Sequence, residues 1–172
     1  MIYPPEWLDI IQSAPETNWD GLLFRHMFGD VSPAKSNTSG ARWNPPGREA
    51  IYTSCEPETA LAEAKYQISM QPLPPRAKRT LYTLRLLLSS VVDRGDELLQ
   101  RLGVTVSELA SLDLSSCQRV GEAVAWLKYE GLLVPSARRA SGSNLVIFQQ
   151  DLATSAFEVL ESRVISPDTR AK

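Results

Sequence analysis

One histidine, His26, and two cysteines, Cys55 and Cys117, are all the chain offers of the two residue types that hold zinc. A structural zinc site takes about four such ligands, so none can be built here. A carboxylate-held hard metal stays open, although no Asp/Glu-rich loop of the calcium-binding kind is present. The cysteines lie far apart and match no redox or disulfide framework, which predicts two reduced packing residues. A Ser-His-Asp hydrolase would need His26, and there is no Gly-x-Ser-x-Gly elbow. Both phosphate-binding glycine signatures, Gly-x-Gly-x-x-Gly and Gly-x-x-x-x-Gly-Lys, are missing. No apolar run approaches the roughly 20 residues that cross a bilayer. The opening Met1-Ile2-Tyr3-Pro4-Pro5-Glu6 lacks the basic and apolar regions of a signal peptide, so a cytoplasmic protein with no membrane contact is expected. Charge of one sign is also scarce. The net charge is −2 and the pI about 5.5, which argues against direct binding to nucleic-acid phosphates.

What is there suits one domain spanning 1–172: 172 residues, 43% hydrophobic and 22% charged, enough for a single core and too apolar for disorder. The stretch around Trp7-Leu8-Asp9-Ile10-Ile11 reads as a short amphipathic helix against the body or a partner. Residues 21–28 read as a strand interrupted by Arg25 and His26, followed by a polar loop over 30–40. In Ala41-Arg42-Trp43-Asn44-Pro45-Pro46-Gly47 two prolines and a glycine fix a rigid turn, with a short strand after it at 50–53. Pro57 opens a helix over 58–68, with Leu61, Ala64 and Ile68 as its core stripe and Gln71-Pro72-Leu73-Pro74-Pro75 as its stop. A strand is expected over 80–88 and short helices over 96–102 and 106–109. A longer helix starts near Ser116 as N-cap, carries Val120, Val124 and Leu127 on one face, and stops at Gly131. Strands at 132–134, 144–148 and 157–165 complete a mixed α+β domain, with irregular strand–helix alternation rather than a doubly wound pattern.

Three segments carry polar groups that packing alone does not explain. Arg42 beside Trp43 in a stiff turn presents a cationic fork and an aromatic face, suited to a diphosphate and a flat ring; an Arg-Trp pair in a loop is also commonly a surface cation–π contact. Glu63, set among Ala60, Ala62 and Ala64 with no base at i±4, either is a solvated helix carboxylate or stands on a slim face that a substrate can approach. Pro135-Ser136-Ala137-Arg138 sits at a strand end, where ligand contacts and plain turns are both common.

Taken together, Gly40-Ala41-Arg42-Trp43-Asn44-Pro45-Pro46-Gly47, Ile51-Tyr52-Thr53-Ser54, Glu58-Thr59-Ala60-Leu61-Ala62-Glu63 and Leu133-Val134-Pro135-Ser136-Ala137-Arg138 resemble the RES domain. That family is named for an arginine, a glutamate and a serine, and is best known as the toxin of RES–Xre toxin–antitoxin modules. The resemblance is strongest over 22–148 and says little about 76–115. It implies a single domain, a mixed sheet with flanking helices, similar to the ADP-ribosyltransferase fold, and an activity that degrades NAD+. The family's arginine falls on Arg42, its glutamate on Glu63 and its serine on Ser136, a catalytic set. Tyr52 falls on a pocket tyrosine, and Arg25 competes with Arg42 as the diphosphate contact. Trp43, Asn44 and Arg138 complete the expected substrate contacts, with no metal and no cofactor beyond NAD+ as substrate.

The residue chemistry is compatible with that resemblance. Cleaving the nicotinamide–ribose bond passes through an oxocarbenium-like transition state, and the leaving group already carries positive charge, so one carboxylate suffices and no strong general acid is needed. Glu63 could stabilise the ribosyl cation, Arg42 could take the diphosphate, Tyr52 and Trp43 could stack on the rings, and Ser136 could hydrogen-bond the nicotinamide ribose. The acceptor of the ADP-ribosyl group stays open between water, phosphate and a protein side chain, the last making a mono-ADP-ribosyltransferase. A non-catalytic binding module with the same fold is a further alternative. The resemblance also implies a cognate antitoxin with a helix-turn-helix DNA-binding domain, and the Trp7-Leu8-Ile11 face leaves room for a homodimer.

Overall fold

The longest pairing in the molecule joins β1 (Glu16–Phe28) to β3 (Arg79–Val92), antiparallel from Glu16 opposite Val92 to Phe28 opposite Arg79. A computed structural model describes residues 3–70, 78–93, 95–148 and 157–165. Both strands outrun the expected 21–28 and 80–88. Their polar ends, Glu16-Thr17 and Ser89-Ser90, carry no strand signal alone and are ordered by the ladder itself. Within β3 the side chains alternate, Leu84, Leu86 and Leu88 buried against Arg85, Leu87 and Ser89 exposed.

β2 (Ile51–Ser54), β4 (Gly131–Pro135), β5 (Ser143–Ile147) and β6 (Glu158–Ile165) complete the sheet in the order β1-β2-β5-β4-β3-β6. Because β1 also pairs with β3, the first five strands close into a ring, and β6 hangs on the free edge of β3. The β3–β4 contact, Val91 to Gly131 and Val92 to Leu132, is parallel, and the other pairs among the described residues are antiparallel. The continuous run Leu145-Val146-Ile147-Phe148 is buried on both sides. Leu145 and Ile147 join Leu23, Leu84 and Leu86 in one cluster, while Val146 and Phe148 join Val120, Val124 and Leu132 in the other.

The second cluster lies under the helices α1 (Pro5–Gln12), α3 (Gly95–Arg101) and α5 (Ser115–Trp126); α4 (Val106–Ala110) is a short helix closed by a Thr105–Glu108 capping box. Three expectations change here. The apolar face of α1 is used within the chain: Ile11 is wholly buried and Trp7 and Leu8 pack on the same core, so the basis for a homodimer on that face is gone. α5 begins at Ser115 after Leu114, without a side-chain cap, and ends before Lys128, which takes the left-handed turn at φ 68°. Gly131 instead starts β4, where a Cβ would lie 3.2 Å from both Leu145 and Val91 side chains. In α2 (Pro57–Ser69) the buried face is Thr59, Ala60 and Ala64, with Leu61 and Ile68 only half-buried. Small residues let this helix lie close to the sheet. The proline-rich stretch 71–75, expected to end it, falls outside the described residues. Both cysteines are free, as their spacing predicts; burial pushes the half-buried Cys55 thiol up to about 12.

The turn at residues 40–47 is pinned by the backbone. Gly40 and Gly47 adopt positive φ of 92° and 89°, Gly47 N–H donates to Thr38 O at 2.8 Å, and Ala41 N–H donates to Asn44 O at 2.9 Å. It rests on α5 at Gly121, where a Cβ would sit 1.9 Å from the Trp43 carbonyl oxygen. Gly121→Ala must displace either helix or turn and is expected to cost about 1–3 kcal/mol, or roughly 3–10 °C of melting temperature in a chain of this size. Thermal unfolding followed by circular dichroism measures it. An unchanged melting temperature would mean that the turn does not depend on this contact.

Candidate active site

A cavity of about 770 Å3 opens between one end of β1, the turn at 40–47, β2, one face of α2, residues 111–114 and the end of β4. Among the described residues five cations line it, Arg25, Lys35, Arg42, Arg79 and Arg138, against one carboxylate, Glu63. Such a surplus in a concave site concentrates anions.

Glu63, Tyr66 and Gln67 stand at i, i+3 and i+4 on α2 and so present one face to this space. The Glu63 carboxylate is fixed through one oxygen. Oε1 accepts from Ser136 Oγ at 2.8 Å and from Asn144 Nδ2 at 3.0 Å. Asn144 is turned that way because Ser54 Oγ donates to its Oδ1 at 2.8 Å, across a register in which Ser54 and Asn144 face each other on β2 and β5. Ser136 Oγ in turn accepts from Arg138 N–H at 3.1 Å and Arg139 N–H at 3.2 Å. Its one proton and both lone pairs are therefore committed. The expected contact from Ser136 to a ribose gives way to a positioning role: the serine orients the carboxylate and folds the Arg138 loop. Oε2 of Glu63 has no protein donor among the described residues.

The turn at 40–47 divides its side chains. Tyr52 OH donates to Asn44 Oδ1 at 2.7 Å and accepts from Trp43 N–H at 2.8 Å, while Asn44 Nδ2 donates to Asn37 O at 3.2 Å and Arg48 O at 2.7 Å. Asn44 is wholly buried with both side-chain polar atoms used, so it is a structural bracket and not a ligand contact. Trp43 borders the cavity but is 3% exposed and packed in the helix-side core, so it serves as wall rather than as an exposed stacking platform. Both expectations fail for one reason: closing this rigid turn consumes the residues that looked available. Tyr52 does line the cavity, and burial raises its phenol above the ordinary value, so it stays protonated. Arg42 lies on the cavity wall and donates to Ser111 O at 3.3 Å.

Arg25, 8% exposed, spends its guanidinium on the loop carbonyls of Pro33 and Lys35, the latter at 2.7 Å. Burial lowers its pKa to about 10, which keeps it charged at neutral pH. Arg42 and Arg25 thus share one cavity, Arg42 bound to one carbonyl and Arg25 clipped to two. Arg138 lies over the Tyr66 ring, 3.3 Å from its centre.

The RES domain family model matches residues 14–166, about nine-tenths of the sequence. This chain belongs to the RES domain family. Among solved structures, a chain of the M. tuberculosis MbcT–MbcA toxin–antitoxin complex superposes with a TM-score of 0.81 at 23% identity, covering 95% of this chain and 94% of that one. The likeness shows a shared fold, a mixed sheet with flanking helices. No curated protein matches the sequence.

Within this RES domain the structure brings Glu63, Ser136, Arg42, Tyr52, Arg25 and Arg138 to one place and withdraws Trp43 and Asn44 into the fold. Sequence reading overlooked Asn144 and Ser54, which only strand register unites. It also overlooked Tyr66 and Gln67, for which the helical spacing from Glu63 was a usable signal, and Arg79, which lies in a segment without a motif. Arg79 is 3% exposed, and its Nη1 donates to His26 Nδ1 at 2.8 Å. His26 must accept there, so it is neutral with its proton on Nε2. Burial, then Arg79 and Arg25, lower its pKa to about 4 from 6.5. An unfolded chain therefore binds a proton at His26 between pH 6.5 and 4 that the folded one refuses. Stability from this residue is complete above pH 6.5 and is lost as pH falls toward 4, by an amount on the order of 3 kcal/mol. His26→Asn, whose carbonyl can replace Nδ1 as acceptor without titrating, should flatten the melting-temperature profile over that interval. Parallel profiles for the two proteins would show that His26 does not titrate as described.

Proposed function

We propose that this RES domain is a toxin that cleaves the nicotinamide–ribose bond of NAD+, as a glycohydrolase or phosphorylase. The observation that carries the reading is Glu63: a single carboxylate, fixed by Ser136 and Asn144, in a cavity whose other charged lining residues, among those described, are cations. That pattern suits a substrate with negative phosphates and a reacting sugar that becomes positive. The diphosphate would be drawn by Arg42 with Arg25 and Arg138, whose guanidinium forks suit phosphate oxygens. Tyr52 and Tyr66 line the space where nicotinamide or adenine would lie, the Tyr66 ring with one face already covered by Arg138. As the C1′–N bond lengthens, its electron pair passes to the pyridinium nitrogen, which neutralises the leaving group. Glu63 then faces the oxocarbenium charge on the ribose, or holds the incoming nucleophile, through Oε2. Ser136 and Asn144 keep the carboxylate aimed during this change, since Oε1 is already bound and cannot swing.

The toxin assignment and its partner rest on the solved neighbour, described as one component of a toxin–antitoxin complex. The partner proposed here is a cognate antitoxin with a helix-turn-helix DNA-binding domain, acting in the cytoplasm, with any DNA contact supplied by that partner. Leu112, 80% exposed at the cavity rim, is an apolar surface such a protein would cover.

Purified protein should release nicotinamide from NAD+, and Glu63→Gln should lower kcat by about 10²–10⁴-fold with the fold intact. Ser136→Ala, which frees the carboxylate but leaves it present, should lose less. Wild-type turnover in Glu63→Gln would remove the reading. NAD+ labelled in the adenine moiety separates the acceptors: free ADP-ribose for water, its phosphate ester for phosphorolysis, a labelled protein band for transfer.

A further inference from the structure

Two guanidinium groups are buried in the cavity wall, and their surroundings differ. Arg25 is satisfied by two carbonyl oxygens. Arg79 is not. Its flat face lies on the Phe28 ring at 3.8 Å, and its Nη1 donates to His26 and, at 3.4 Å, to Gln67 Oε1. Its Nε and Nη2 are buried with no hydrogen-bond partner among the described residues.

Those two atoms form one edge of the guanidinium, the edge that matches two oxygens of a phosphate or carboxylate. Leaving a buried cation with open donors is costly, and native proteins rarely do so without cause. Three neighbours hold the group in place: Phe28 by stacking, His26 as a neutral acceptor, and Gln67 from the α2 face that also carries Glu63. None of the three supplies negative charge. Glu63, the lone carboxylate among the described lining residues, is already bound to Ser136 and Asn144.

We propose that the buried, unpartnered edge of Arg79, braced by His26, Gln67 and Phe28, is the receptor for a phosphoryl-class oxyanion that enters this cavity and displaces the cover over that edge. The oxyanion is either a phosphate of the dinucleotide or free inorganic phosphate entering beside it. This rests on the NAD+ reading only in the choice of ADP as one probe.

Isothermal titration calorimetry in a phosphate-free buffer, with inorganic phosphate and separately with ADP, tests it on the wild type, Arg79→Lys and Arg79→Met. Lysine keeps the charge and loses the fork, so Arg79→Lys should weaken binding roughly 10- to 100-fold. A loss confined to ADP assigns the oxyanion to the dinucleotide; a loss confined to phosphate assigns the free ion; a loss of both gives a site that accepts either source. Arg79→Met should melt no lower than the wild type in the absence of anion, because the uncompensated charge is gone, and should lose the rise in melting temperature that anion gives the wild type. A wild type that binds neither probe, or an Arg79→Lys that binds both unchanged, overturns the proposal. So does unfolding of both variants, which would make Arg79 a structural cation. Nicotinamide release by the wild type reads the NAD+ proposal, whereas anion binding by the wild type against Arg79→Lys reads this one without any turnover, so failure of the two gives different results.

Discussion

The ladder between Glu16–Phe28 and Arg79–Val92 is the constraint from which the rest follows, because it closes the sheet. Without it β1 and β3 would be two free edges of an open sheet. With it, Phe28 stands opposite Arg79 and His26 two residues earlier on the same face of β1, so the polar end of the cavity is assembled by strand register. On the far side of the ring, β2 and β5 pair Ser54 with Asn144, and that pair aims an amide at Glu63. A slip of one residue in either register would turn these side chains to the opposite face.

Electrostatics then sets the division of labour. Buried guanidinium groups are ordinarily answered by carboxylates, yet the described ion pairs, Arg48–Glu122, Arg85–Asp20 and Arg139–Glu56, involve neither Arg25 nor Arg79. These two are held by carbonyls, an imidazole and an amide, partners that direct a cation without cancelling it. The cavity therefore keeps its positive field at some cost in stability, a pattern more usual at sites that receive an anion than at sites that only pack. Neutral His26 belongs to this logic: a protonated imidazole could not accept from Arg79.

How much of this was legible beforehand depended on whether a residue's role was local. Glu63, Ser136, Tyr52 and the turn around Arg42 stand in short motifs, and the motifs placed them at one cavity. Element types were readable from periodicity, whereas the ends of β1 and β3 were not, because Glu16-Thr17 becomes strand only by pairing with Val91-Val92. Trp43 and Asn44 misled for the opposite reason. An aromatic and an amide in a loop look available to a ligand, but this loop sits on Gly121 and closes around Tyr52, so its core-facing half is interior. The buried stripe of α2 misled likewise. A helix pressed close to its neighbours buries Thr59, Ala60 and Ala64 and pushes the larger Leu61 and Ile68 to the margin.

The last dependence concerns what keeps Ser136 against Glu63, since the two come from segments 73 residues apart. The answer lies at the start of α2. Glu56 Oε2 accepts from Thr59 Oγ1 at 2.6 Å and from Ser143 N–H at 3.1 Å, and Arg139 bridges the same groups, 3.2 Å from Thr59 Oγ1 and 3.7 Å from Glu56. The loop can reach them because residue 142 is glycine; a Cβ there would stand 2.2 Å from Thr59 Oγ1. Glu56 is thus a structural staple and Glu63, two turns on, the half-buried, cavity-facing end of the same arrangement. One short helix both anchors the loop that carries Ser136 and presents the carboxylate that Ser136 holds, so the distance between the two groups is set by helical rise rather than by loop conformation.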